Sequence, residues 1–442
     1  MSAAHRLLAL ESAFVGLESK DVPFVFASIL ELDRPIAVDA LRRHVDAAFA
    51  TVPRYRQRLD HARRTWVDTD FRIEHQVRFA TVAQPGGRAE LEALAARLLS
   101  TELPPDYPPW QLWTVGGLEG GRGALIALVH HSLVDGIAGF RLLEYLLGAG
   151  PSEPAPEVAT HDKLRALRQL VSWNNIRSLA RLLRDGLRPA SPLGLNPRHT
   201  GPVREVASHT VALDAVKSIQ HTFDATNNDV VLAVVALTLR QFVKRRGLDP
   251  DHLRDVRAMV PVGRHIDEEH ATHGNRVALM LVQLPVHEGN PVECLRRIAA
   301  TTRKLKAEHI VGGGDLLVAL GDATTPAVLL NVLRIALWMR TFNVLVTNVP
   351  GPTTPLSLLG ARLVRITPIV NLWPYQALAI AVASYAGTMT FGLQVDRAVI
   401  ADIGPVRDDL VAAFDALRDA ASHARGVTMP ARYGTSSSSP TL

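Results

Sequence analysis

The sequence predicts an α/β (α+β) protein of two domains, each a mixed sheet with helices. Three observations lead there. At 442 residues the chain exceeds one ordinary core. Over residues 1–150, helical patterns alternate with apolar strand patterns. At the end of that region stands ALIALVHHSLVDGIAG, whose continuous apolar start fits a strand buried on both faces. The chain then divides into a first domain over 1–150, a linker or crossover over 151–200, a second domain over 201–427 and a disordered tail over 428–442.

In order, Asp39 is placed as the N-cap of a helix over 40–50, and a second amphipathic helix over 89–99 comes after the turn Pro85-Gly86-Gly87. The central strand passes through a turn into a helix over 137–147. Residues 148–160 have linker composition. Residues 163–188 form a basic amphipathic stretch that fits a packed crossover helix or an anionic membrane surface. The second half predicts strands over 203–213, 257–262, 277–284, 342–347, 378–383 and 388–395, with helices over 229–245, 291–306, 326–342 and 405–423. In the last of these strands Met389, Phe391, Leu393 and Val395 alternate with Thr388, Thr390 and Gln394.

Composition excludes several classes of function. With 47% hydrophobic and 21% charged residues the chain is globular, and its net charge of +5 is mild enough to suit acidic small molecules or anionic lipids. No nucleic-acid motif accompanies it. A single cysteine, Cys294, excludes an internal disulfide and sits in a helical pattern as an inert buried thiol. Neither a secretory leader nor a run of roughly 18–20 apolar residues is present, which predicts a cytoplasmic protein, soluble or peripheral on the inner face of a membrane. Gly312-Gly313-Gly314 lacks the lysine of a phosphate loop, and no HExxH or cysteine cluster offers a metal site.

The chemistry is concentrated at His130-His131 and Asp135-Gly136. Successive strand side chains point to opposite faces, so the two imidazoles cannot share one cavity. One can be a base at the strand end, the other a packed histidine. An imidazole titrates near neutral pH and can take a proton from a hydroxyl. Asp135 sits in the turn, where Gly136 leaves backbone room. Asn228-Asp229 begins a helix, so its plainest role is an N-cap.

The pattern HHxxxDG, His130 to Gly136, resembles the signature of the chloramphenicol-acetyltransferase-like acyltransferases and peptide-synthetase condensation domains. Surrounding blocks narrow the resemblance to the bacterial wax ester synthase/diacylglycerol acyltransferase family. They are Arg54-Tyr55-Arg56-Gln57-Arg58-Leu59, Pro109-Trp110-Gln111-Leu112-Trp113, Asn228-Asp229-Val230-Val231-Leu232-Ala233, Val260-Pro261-Val262-Gly263-Arg264, Asn348-Val349-Pro350-Gly351-Pro352 and Ser384-Tyr385-Ala386-Gly387. They run in family order from about residue 10 to residue 420.

The resemblance implies two chloramphenicol-acetyltransferase-like domains with an active-site channel between them. It implies acyl transfer from acyl-CoA, a co-substrate with no further cofactor and no metal, to a diacylglycerol or a long-chain alcohol. It assigns the general base to His131, with His130 supporting, and gives Asp135 an arginine-paired shaping role for which Arg264 is one partner. Asn228 and Asp229 lie near the channel, and Asn228 or Thr347-Asn348 are candidate oxyanion donors. Peripheral contact with membrane or lipid inclusions accompanies that activity. Thr347 stands where the family has serine, and residues 103–108 lack the family's approach to the Pro-Leu-Trp block, with Trp110 directly after Pro109. The alternatives are a related HHxxxDG acyltransferase with another alcohol or amine acceptor, and a lipid-binding protein without turnover.

Overall fold

The structure, a computed structural model, describes residues 5–7, 9–50, 52–133, 188–263, 277–307 and 326–427. The helix expected over 137–147, the linker, the basic stretch over 163–187, Gly312 to Gly314 and the tail lie outside these residues, as do Asp135, Gly136 and Arg264.

The apolar run forms β7 (Gly123–His130), buried at every position. Leu125, Ala127 and Val129 enter one hydrophobic cluster, while Ala124, Ile126 and Leu128 enter another on the opposite face. Its neighbours are β2 (Val25–Leu32) and β6 (Trp110–Gly116), both antiparallel to it, with Val25 opposite His130. Beyond β6 lies β5 (Val77–Thr81), parallel to β6. Helix α2 (Val38–Phe49) covers one face through Leu41, Val45 and Phe49, and α4 (Arg88–Leu99) covers the other through Leu91, Leu94, Ala95 and Leu99. Asp39 is not the N-cap of α2: Ala37 holds that position without a side-chain bond, and Asp39 lies in the first turn, paired with Arg42 at 3.1 Å. A carboxylate there still meets the positive end of the helix dipole.

Six strands make the second sheet, in the order β10 (Val277–Leu284), β9 (Val256–Gly263), β11 (Val344–Val349), β14 (Leu378–Tyr385), β15 (Thr388–Asp396) and β8 (Arg204–Ala212). Strand β11 runs parallel to β9 and β14, and the other pairings are antiparallel, so the sheet is mixed. One face carries the larger core, filled by α5 (Leu213–Phe223), α6 (Asn227–Arg245), α7 (Pro291–Ala307) and α9 (Gly404–Val427). The other face turns toward the first sheet. There Met259, Leu345 and Ala379 pack with Ala13 and Leu17 of α1 (Ala9–Leu17), the leucines of α8 (Pro326–Trp338), and Phe24, Leu372 and Trp373.

One segment breaks the division by chain position. Strands β12 (Ser357–Leu358) and β13 (Ala361–Ile369), expected within the second domain, complete the first sheet, where β13 pairs antiparallel with β2. This also explains β15. Its alternation suggests one solvated face, yet Thr390 and Gln394 are buried as fully as their apolar neighbours. The cover is β13: a Cβ on Gly392 would lie 1.8 Å from the Pro368 carbonyl oxygen, so only glycine admits this approach. The sheets also meet where α4 packs on β8. Ser208 Oγ donates to Glu92 Oε1 at 2.5 Å, and the Arg204 backbone N–H donates to Ser100 Oγ at 2.9 Å.

Candidate active site

Strand β7 ends on His130, whose backbone N–H donates to the Pro109 carbonyl at 3.0 Å, and the chain turns at once. The His131 N–H then donates to the Phe24 carbonyl at 2.8 Å. These bonds pin both histidines at the end of the first sheet's central strand while their rings enter different surroundings.

His130 is buried between Ser132 and Glu18. Its Nδ1 accepts from the Ser132 backbone N–H at 3.1 Å and lies 2.7 Å from Ser132 Oγ, while Nε2 faces Glu18 Oε1 at 3.3 Å. A ring nitrogen that accepts from a backbone N–H carries no hydrogen, so the proton of the neutral ring sits on Nε2, toward the carboxylate. Burial pushes the Glu18 carboxyl up. The His130 and His61 side chains and the Phe24 N–H outweigh it and hold the group below its ordinary value. Glu18 comes just after α1, and no sequence pattern marks it as a partner of the histidines.

His131 lies among aromatic rings, with Phe14 of α1 at 5.3 Å and Phe26 of β2 at 5.0 Å between centroids. The residue keeps some exposed surface. Burial, with His130 beside it, lowers its pKa from 6.5 to about 4, although the neighbouring Asn371 side chain works in the opposite direction. The imidazole is therefore neutral at physiological pH, the form a general base requires. Asn371 belongs to none of the motifs. It lies just beyond β13, and the topology alone brings it to His131.

The other expected residues separate. Asp229 is buried at the third position of α6, where Thr226, not Asn228, is the N-cap. Its Oδ2 accepts from the Thr226 N–H at 2.8 Å and the Thr226 hydroxyl at 2.7 Å, and its Oδ1 accepts from Thr302 Oγ1 of α7 at 2.6 Å. Both oxygens are thus committed to joining two helices, and partly buried Asn228 lies one residue before. On β11, alternation puts Thr347 on the face of Leu345, toward the first sheet, and Asn348 on the face of Val344 and Val346, toward the helices. The two candidate donors of β11 are thus divided between two faces. Trp110 is a packing residue: its indole meets Phe49 edge-on at 5.1 Å and donates to the Tyr55 carbonyl at 2.8 Å. Cys294 is buried in α7, and burial with the nearby Glu288 pushes its thiol up to about 12, far from a nucleophile. Among the described residues no cluster of three or more His, Cys, Asp or Glu converges as a metal site.

Residues 7–188 match the wax ester synthase/diacylglycerol acyltransferase catalytic domain, and residues 273–418 match the WS/DGAT C-terminal domain. The chain belongs to the wax ester synthase/diacylglycerol acyltransferase family. A relative in Mycobacterium bovis, named as a diacylglycerol O-acyltransferase, is 31% identical over 75% of this chain and 78% of its own. One in Mycobacterium tuberculosis with the same designation is 28% identical over 92% and 89%. Among solved structures, the wax ester synthase/diacylglycerol acyltransferase of Marinobacter aquaeolei superposes with a TM-score of 0.71 at 24% identity, covering 94% of this chain and all of that one. The first condensation domain of the calcium-dependent antibiotic synthetase superposes at 0.63 and 19%, over 95% and 97%. The family fold is therefore the two-domain, chloramphenicol-acetyltransferase-like one, with His130 and His131 at the strand end of the catalytic domain.

Proposed function

We propose that this protein transfers an acyl group from acyl-CoA to the hydroxyl of a diacylglycerol, giving triacylglycerol, or of a long-chain alcohol, giving a wax ester. The observation that carries the mechanism is the neutral His131 imidazole at the junction of the two sheets. His131 takes the hydroxyl proton as the oxygen attacks the thioester carbonyl. The tetrahedral intermediate expels CoA thiolate, and the imidazolium returns the proton to sulfur. Transfer is direct, with acyl-CoA as the co-substrate and no further cofactor. The oxyanion requires a hydrogen-bond donor, and Thr347 is favoured over Asn348 because its strand face turns toward the His131 side.

Contact with the lipid phase that supplies the acceptor is supported by α8. Val328, Ile335 and Trp338 lie exposed on one side of it, Trp338 at 70%, with Arg334 beside them. Among the described residues no helix is long and apolar enough to cross a membrane. A peripheral attachment fits both observations.

The test is transfer from radiolabelled palmitoyl-CoA to dioleoylglycerol, hexadecanol and glycerol by the purified full chain. Labelled triacylglycerol or wax ester is expected. Labelled product only with glycerol would transfer the reading to a related acyltransferase, and no product with any acceptor would favour a lipid-binding protein.

A further inference from the structure

A base whose pKa is depressed to about 4 stays neutral but holds an abstracted proton poorly, so His131 gains from a partner that stabilises its cation without charging it at rest. Asn371 has the geometry for this. It is 1% exposed, and its Nδ2 donates to the Leu372 carbonyl at 3.1 Å. A carbonyl oxygen only accepts, so the amide nitrogen must face Leu372 and the side-chain oxygen must point away from it. That oxygen is buried and has no hydrogen-bond partner among the described residues, an arrangement that costs stability unless something occupies it. The carboxamide lies against the His131 ring. Around that ring, among the described residues, also stand Phe14 and Phe26, which accept nothing, and His130, whose hydrogen is directed at Glu18.

We infer that Asn371 is a positioning residue for His131: its side-chain oxygen accepts the imidazole N–H, selecting the tautomer whose other nitrogen is free to take the alcohol proton. The same bond strengthens as the ring becomes cationic. A carboxylate in this place would raise the resting pKa and protonate the base, whereas a carboxamide orients the ring and leaves it neutral. The inference rests on His131 being the base.

The experiment compares His131→Ala, Asn371→Leu and Asn371→Asp in the full-length protein, measuring kcat and KM from pH 4 to 9 with palmitoyl-CoA and hexadecanol or dioleoylglycerol. Thermal melts check folding. Leucine has a similar shape and offers the imidazole no acceptor. Asn371→Leu should lower kcat about tenfold, the worth of one hydrogen bond, with KM for acyl-CoA unchanged. Asn371→Asp should move the acid limb of the rate profile upward by a pH unit or more. Wild-type kcat in Asn371→Leu, or an unmoved limb in Asn371→Asp, while His131→Ala is inactive, would overturn the inference and leave the base in place. Undiminished turnover in His131→Ala would remove the base and the inference together.

Discussion

Glu18 Oε1 stands 3.3 Å from His130 Nε2, so the first histidine of the motif is held from both sides, by a carboxylate and by Ser132. The second histidine keeps its ring for chemistry. This division of labour makes Glu18 a residue whose loss acts first on stability. Its carboxyl is held below the ordinary value of 4.5, so its contribution is present above that pH and is lost as pH falls through the lower native value. Glu18→Gln should lower the melting temperature at pH 7, and the gap from wild type should close below pH 4.5. Thermal melts at pH 7, 5 and 3.5 test this, and a gap that stays constant would contradict it.

His131 has opposite linkage. The unfolded imidazole titrates near 6.5 and the native one near 4, so the unfolded chain binds the extra proton first and stability falls as pH drops through that window. Replacing His131 with Leu should flatten the decline in melting temperature between pH 6.5 and 4. His131→Ala should lower the rate of acyl transfer by about 10²–10⁴. In the wild type that rate should rise through about pH 4 and be level by pH 6. A limb near 6.5 would show that the aromatic setting does not depress the base.

The Asp229 carboxylate joins α6 to α7, so Asp229→Ala removes a capping box and the Thr302 bond together. A cap is worth about 0.5–2 kcal/mol and a hydrogen bond to a charged group about 1.5–3. Asp229→Ala should therefore lower the melting temperature by several degrees. Asn228→Ala, one residue earlier, should leave it within a degree or two. Denaturation of the two variants side by side separates a structural aspartate from a catalytic pair.

Much of the fold is readable from local pattern, because β7 and α6 are long and apolar enough to declare themselves. The first sheet's far edge is not. Strand β13 carries Arg362, Arg365 and Pro368, residues that argue against a strand in sequence, and its partner β2 lies more than 300 residues away. The site divides in the same way. His130 and His131 stand in a contiguous motif, whereas Glu18, Phe14, Phe26 and Asn371 come from α1 and the turn after it, β2 and the segment after β13. Their convergence depends on strand order, which short-range pattern does not contain. Asp229 shows the converse: a motif residue whose plain capping role was legible, with Thr226 as the cap two residues before Asn228.

Burial pushes the Glu92 carboxyl, which receives the Ser208 hydroxyl across the contact between α4 and β8, up to about 7. With a native value above the unfolded one near 4.5, the native state keeps its proton longer, so stability is lost as pH rises through that interval. Glu92→Gln, neutral at every pH, should gain stability relative to wild type as pH moves from 5 to 8. Paired melts at those two pH values give the sign directly, and a relative gain at pH 5 would refute it.

Because β13 closes the first sheet from residues 361–369, that layer cannot be completed while the chain emerges in order from the ribosome. Strand β2 must wait with one edge unpaired until more than three hundred further residues have been made, and the two layers then settle in a single interlocked folding event. The first half, cut away at the crossover, would lack the outer two strands of its sheet, whereas the second half would keep all six of its own and carry β12 and β13 without a partner. Two separate fragments would have to meet, the second lending the late strand, before the first sheet could be completed.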